Sequence, residues 1–406
     1  MKPSIVRRTT FRLAAVLGCA STLMFLSGPV AAQSKAPIKI GVPTALSGPY
    51  AQIGGEVKRS VDFAAKEVNA KGGILGRMVQ VEFADTEANP DVARRTAERL
   101  VQNGYKLLIG TIASSEALAI GAQVEKWDAI YMSTINKTDR LTGDACNSRV
   151  FRANHSDAQD MMVIGPWLKT RAEKEWVIMA ADYAWGRDSA SAFTKAAQAQ
   201  GRVVKAAYFA PLGSKDYASY IQQLKAQNAQ AMWVAVGGRD AINFGIQADQ
   251  FGLLKSVFPV GQAFAVPATI KGMGAVSEGI WGVHNYAVSL DTPQNKAFVT
   301  TWKKEFNGAD PSNYEAETYV GMQVLFAGIA KAGSDEPGKV AKAMEDLSID
   351  NTIYGKVTMR AKDHQLVMPN YMGKVAKVGG ELKPVIELVV DAAQATPPPA
   401  PECKMN

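Results

Sequence analysis

Short β-rich apolar runs alternate with amphipathic stretches of helical period along most of the 406 residues. The runs 38–42, 79–83, 106–110 and 129–132 predict strands, and 56–69, 91–102 and 116–127 predict the helices between them. In 56–69, Val57, Val61, Ala64, Ala65 and Val68 share one face, and Lys71 followed by Gly72-Gly73 ends the helix. A second series follows. Residues 176–180, 203–208, 231–236, 258–261 and 279–283 read as strands, separated by helices at 157–169, 187–200, 217–227 and 240–251. Helical patterns at 295–306, 315–332 and 339–347 and strands near 355–359 and 371–377 close the chain. Strand–helix alternation run twice predicts an α/β fold of two doubly wound lobes with parallel central sheets. Ligands in such sheets sit beyond the carboxyl ends of the strands, near helix N-termini.

The first 32 residues break this pattern. Lys2, Arg7, Arg8 and Arg12 precede a mostly apolar run, 13–30, and Val30-Ala31-Ala32 fits a small-residue cleavage site. This predicts a cleaved signal peptide and work in the periplasm. Ser21, Ser27, Gly28 and Pro29 interrupt the run too soon for a membrane anchor. Arg7-Arg8 leaves open whether export is by the Sec or the twin-arginine route. The leader holds four of the 45 Lys+Arg and no acidic residue, so its removal takes the net charge from +7 to +3. That residue of charge argues against nucleic-acid binding. The remaining cysteines, Cys146 and Cys403, are expected to pair in an oxidising compartment and to pin the Pro-rich tail, 391–406. Three scattered histidines show no metal-ligand spacing, and no glycine-rich stretch has nucleotide-binding spacing, so neither metal nor cofactor is expected.

Residues 38–49, Ile-Lys-Ile-Gly-Val-Pro-Thr-Ala-Leu-Ser-Gly-Pro, resemble the opening strand and loop of the Leu/Ile/Val-binding protein family, the periplasmic solute receptors of ABC importers. Residues 69–76, Asn-Ala-Lys-Gly-Gly-Ile-Leu-Gly, resemble its next landmark. Ile109-Gly110, Ser114-Ser115, Leu141-Thr142-Gly143, Phe151-Arg152 and Asp182-Tyr183-Ala184-Trp185-Gly186 continue in the family's order, and the similarity runs from about 38 to 380. The resemblance implies two lobes joined by three crossovers and closing on a small solute. One lobe would be 38–153 plus 287–355, the other 154–286 plus 356–390. It implies a monomer that serves membrane permease subunits and performs no covalent chemistry.

The resemblance also nominates site residues. Ser114 aligns with a carboxylate-binding serine, and its reading as a helix cap stays open beside it. Asn136 and Lys137 occupy a loop that grips the carboxylate in amino-acid receptors, with Lys137 replacing a threonine. Trp185 takes the place of an aromatic residue that packs on the solute. Arg239 stands where the family has a cleft tyrosine, suited to a carboxylate or else a surface residue beside Asp240. Tyr50, Ile53, Gln262 and Phe264 complete the expected lining. Ala263 falls where amino-acid receptors carry an acid for the ligand ammonium, and an unpaired buried ammonium is costly. Glu317 beside Tyr319 is the alternative ammonium partner. The expected solute is therefore a small carboxylate on an apolar or aromatic body, with branched-chain amino acids as the alternative.

Two other classes compete. A hydrolase would need a nucleophile elbow or a zinc motif, and the chain has neither. Presentation of the solute to a chemoreceptor or sensor kinase leaves the residue pattern unchanged.

Overall fold

The computed structural model describes residues 9–10 and 36–405. Apart from residues 9–10, the expected signal peptide lies outside them. Five strands, β1 (Ile38–Thr44), β2 (Val79–Asp85), β3 (Leu107–Gly110), β4 (Ile130–Ser133) and β5 (Val150–Arg152), form a wholly parallel sheet in the order β2-β1-β3-β4-β5. Helices α1 (Ala51–Ala70), α2 (Pro90–Gln102) and α3 (Ser114–Gly121) connect the first four strands. Successive residues of β3 and β4 point to opposite faces. Leu107, Ile109, Ile130 and Met132 enter one apolar core, and Leu108 and Tyr131 enter another.

The second half begins with α4 (Asp157–Lys169), whose Ser156 caps Gln159 and is capped in return. It continues through β6 (Glu175–Ala181), α5 (Ala184–Ala199), β7 (Val203–Ala210), α6 (Ala218–Ala226), β8 (Ala231–Ala235), α7 (Gly238–Gln250), β9 (Phe258–Val260), α8 (Pro267–Met273) and β10 (Trp281–His284). Helices α9 (Pro293–Glu305), α10 (Asn313–Ala332) and α11 (Pro337–Met344) then return to the first sheet, where α10 packs on α1. Strands β11 (Ser348–Thr352), β12 (Gly355–Met359) and β13 (Leu366–Val367) form a small antiparallel sheet. Strands β14 (Asn370–Val378) and β15 (Glu381–Val390) complete the second large sheet, in the order β15-β14-β10-β9-β8-β6-β7. Its β6–β10 core is parallel, and the terminal hairpin joins it antiparallel.

Residues 356–368 depart from the expected partition. Val357, Met359 and Leu366 enter the core of the first sheet. The physical reason is a continued ladder: the Arg152 N–H at the end of β5 donates to the His364 carbonyl at 2.9 Å, and the His364 ring stacks on Phe151. Cys146 and Cys403 form a disulfide with Cα atoms 5.5 Å apart. The tail it holds begins at α12 (Ala392–Ala395), whose Ala395 is buried in the core beneath α4. Pro397 then accepts a hydrogen bond from Arg360. Among the described residues no helix is long and apolar enough to cross a membrane.

Candidate functional site

The carboxyl ends of the two parallel sheets face each other, and the loops leaving them line a partly open cavity of about 30 Å³, room for about two water molecules. From the first sheet come Tyr50 and Ile53 after β1, Ile112 and Ser114 after β3, and Ile135, Asn136 and Lys137 after β4. From the second come Tyr183 and Trp185 after β6, Gly237 after β8, and Gln262 and Ala263 after β9. Tyr314 at the start of α10 completes the wall.

The two halves are in contact. The Tyr50 and Tyr183 hydroxyls are 2.7 Å apart. Tyr50 also lies over Gly238, where a Cβ would come within 2.8 Å of its ring carbon, and Gly238 holds a φ of +59°. Thr138 from the first half donates to Asp188 on α5. Burial raises the phenol pKa of Tyr50, Tyr183 and Tyr314, so all three remain O–H groups at neutral pH.

The expected residues divide by what already occupies them. Ser114 is fully buried, and its Oγ accepts the Thr138 N–H at 3.2 Å while keeping its own proton to donate. The Ile112 and Ala113 N–H groups are taken by Glu116 Oε2, at 3.2 and 2.8 Å. Burial raises that carboxyl to about 7. The Asn136 amide donates to Tyr131 and Thr111 and accepts from Ser133, so its polar atoms are spent inside the protein. Lys137 lines the cavity, but its Nζ donates to Asp160 Oδ2 at 2.6 Å, with both side chains almost wholly buried. Asp160 Oδ1 accepts in addition from Asn285 and Asn370. Lys137 therefore brings a neutralised pair to the wall.

Trp185 lines the cavity with its indole N–H on Asp157 Oδ1 at 3.3 Å. Burial, with Asp139 next in weight, raises the Asp157 carboxyl well above the usual range. Tyr50, Ile53 and Gln262 also line the wall.

Two expectations are corrected. Arg239 is exposed and does not line the cavity. The Gly237-Gly238 turn carries the chain past the opening, so Gly237 is the lining residue. Phe264 is fully buried in the second-sheet core, 5.9 Å from the Phe244 ring, because Ala263 faces the cavity and its neighbour faces inward. Glu317 is also placed elsewhere, with Oε1 3.2 Å from His155 Nδ1, and the Tyr319 hydroxyl donates to Glu67.

Sequence reasoning left out Tyr183 and Tyr314. Tyr183 stands inside the Asp-Tyr-Ala-Trp-Gly motif, two residues before Trp185. Tyr314 follows the Ser312 cap of α10 and is brought to the cavity only by the return of the chain to the first sheet. None of the 13 lining residues is Asp or Glu.

Three comparisons bear on this geometry. A model of the periplasmic binding protein family matches residues 37–380. The Leu/Ile/Val-binding protein homolog 3 of Brucella melitensis is 26% identical over 363 residues, covering 86% of this chain and 92% of the relative. Leu/Ile/Val-binding protein BraC3 of Rhizobium johnstonii is 27% identical over 333 residues, covering 80% and 87%. Among solved structures, an ABC-transporter solute-binding protein from Rhodopseudomonas palustris in complex with 3,4-dihydroxybenzoic acid superposes with a TM-score of 0.81 at 24% identity, covering 88% of this chain and 98% of its own. A closed leucine-, isoleucine-, valine-, threonine- and alanine-binding protein from Brucella ovis gives 0.81 at 22% identity, covering 91% and 99%. The structures agree in fold. Across residues 37–380 this chain belongs to the periplasmic binding protein family, whose members are non-enzymatic, extracytoplasmic transport receptors.

Proposed function

We propose that the chain is the solute receptor of an ABC importer. In this reading it is exported by a cleaved leader, acts as a monomer, and closes two lobes on a small carboxylate with an aromatic or apolar body. The observation that carries the ligand class is the composition of the cavity wall, which has three tyrosine hydroxyls, Ser114, the Trp185 ring and three isoleucines but no carboxylate. A carboxylate ligand finds O–H donors and a helix N-terminus at α3. An ammonium finds no ionised acid on the wall. The cavity is too small in this closed form for a benzoate-sized molecule, so solute entry needs the lobes to part and the wall to expand. Ligand then shifts an open–closed equilibrium by touching both halves at once.

The R. palustris structure above holds an aromatic acid, which accords with this reading. The second reading is a branched-chain amino acid. It is favoured by the names of the relatives and by Asp157, whose buried Oδ2 has no partner behind Trp185. A thermal-shift panel of aromatic acids, branched-chain amino acids, dicarboxylates and polyols separates the two, because a ligand raises the melting temperature by mass action. The proposal expects a response to aromatic carboxylates. A response confined to branched-chain amino acids overturns it.

A further inference from the structure

Beside the solute cavity the two bodies meet along a seam that holds four carboxylates. In the first body the loop after β4 supplies Lys137, Thr138 and Asp139, and β5 supplies Arg152. In the second, α4 supplies Asp157 and Asp160, and α5 supplies Trp185 and Asp188. The Thr138 hydroxyl donates across the seam to Asp188 Oδ2, and the Asp157 N–H donates across it to the Lys137 carbonyl at 2.9 Å.

Asp157 is 1% exposed, and its Oδ2 has no hydrogen-bond partner. A buried ionised carboxylate needs donors or a cation, and those around it are engaged elsewhere. The first four N–H groups of α4 go to the Lys137 carbonyl, Asp139 Oδ1, Ser156 Oγ and the Ser156 carbonyl. Lys137 Nζ is paired with Asp160. The buried Arg152 gives its two Nη groups to the Asn136 and Thr138 carbonyls, and the exposed Arg140 is paired with Asp144. The Trp185 indole N–H reaches Asp157, but at Oδ1. Burial first, then the facing Asp139, and more weakly Asp160 and Asp188, keep the proton on Asp157 against the opposing pull of Lys137. Burial raises the Asp188 carboxyl as well. The Lys137 carbonyl and the Asp139 carboxylate that crowd Asp157 belong to the first body, so parting the bodies withdraws them and admits water.

We propose that closure of the two bodies takes up a proton at Asp157, so that falling pH favours the closed form. The inference rests on the reading that the bodies close on a solute and is independent of which solute it is. In the closed form the neutral acid accepts the Trp185 N–H on Oδ1 and carries its proton on Oδ2. In the open form water solvates the carboxylate, which ionises more readily. The closed form therefore loses ground as pH rises between the open-state and closed-state values, by up to about tenfold per pH unit. An acidified compartment loads such a receptor more fully.

Small-angle X-ray scattering of the ligand-free protein between about pH 5 and about pH 8 tests the coupling. The wild type should expand as pH rises. Asp157→Asn, which puts an uncharged amide in place of the acid, should keep the low-pH dimension throughout. Asp139→Asn, which removes the facing charge, should weaken the pH dependence. Calorimetry with 3-phenylpropanoate or leucine, whichever binds, in phosphate and in Tris buffer should report uptake of up to about one proton per solute, and Asp157→Asn should remove it. A wild-type dimension indifferent to pH overturns the proposal. Equal pH dependence in the wild type and Asp157→Asn overturns it too, and assigns the proton to Asp188 or Glu116. Should Asp157→Asn fail to fold, an undiminished pH dependence in Asp139→Asn overturns it. A solute that compacts the protein equally at every pH overturns the coupling while leaving the receptor reading intact.

Discussion

The five-stranded sheet brings the polar Asn136 and Lys137 to the cavity with most of their hydrogen bonds already made, whereas the seven-stranded sheet brings the Trp185 ring, held by one hydrogen bond. Asn136 is tied to Tyr131, Thr111 and Ser133, and Lys137 to Asp160. Trp185 is tied only through its indole N–H. Both sheets nevertheless use one backbone device. At Gly54 in α1 a Cβ would lie 1.8 Å from the Ala45 carbonyl oxygen, and at Gly186 in α5 it would lie 1.9 Å from that of Ala181. In each body the helix after the first strand thus rides directly on the end of that strand, and glycine alone permits the approach. The shared scaffold is decorated unequally: the first body presents a hydrogen-bonded polar wall at Asn136 and Lys137, and the second an aromatic one at Tyr183 and Trp185.

The largest expected effect tests the polar wall. Asp160→Leu leaves the Lys137 ammonium buried without its carboxylate, and urea unfolding should show a loss of roughly 3–5 kcal/mol. A loss below about 1 kcal/mol would mean that water reaches the pair.

Next comes pH. The folded chain holds the Glu116 proton up to about 7, against 4.5 ordinarily. The unfolded chain therefore ionises first as pH rises. The stabilisation from the neutral acid is complete below 4.5 and is lost between 4.5 and 7, roughly 3 kcal/mol in all. Glu56, raised to about 7 as well, adds the same sign. Glu116→Gln should flatten only part of the stability–pH curve, and an unchanged curve contradicts the burial argument.

Smaller still is the effect on the aromatic wall. Trp185→Ala should weaken binding of an aromatic acid by roughly tenfold, the order of one stacked ring. The smallest effect distinguishes the structure from the sequence expectation. Arg239→Ala, on an exposed side chain outside the cavity, should change affinity and stability by less than about 0.5 kcal/mol.

The elements that sequence reveals are those whose side chains have one clear face. Strands β1–β4 and α4 lie within two residues of their expected bounds, because short β-rich apolar or alternating runs and a reciprocal Ser156–Gln159 cap are strong local signals. Strand β5 has three residues and β13 two, too few to show a period. Strand β15 is an edge strand whose Glu381, Lys383 and Glu387 read as surface. Helix α3 stops at Gly121, short of the expected 127, and the chain continues as turns. The candidate site follows the same logic. Ser114 and Trp185, beside strand ends, were nominated by the family resemblance, and both lie on the cavity wall. Arg239 and Phe264 were not, because the direction of one side chain in a turn is decided by packing, here by Tyr50 over Gly238 and by Phe244 against Phe264.

The central claim is that the wall of the cavity, once the two bodies part to admit a solute, favours a carboxylate on an apolar body over the same molecule carrying an ammonium. Isothermal titration with 3-phenylpropanoate and with phenylalanine, which differ by that one group, tests it most directly. The account predicts tighter binding of 3-phenylpropanoate by roughly tenfold or more, the cost of an unpaired buried charge. Tighter binding of phenylalanine would contradict it.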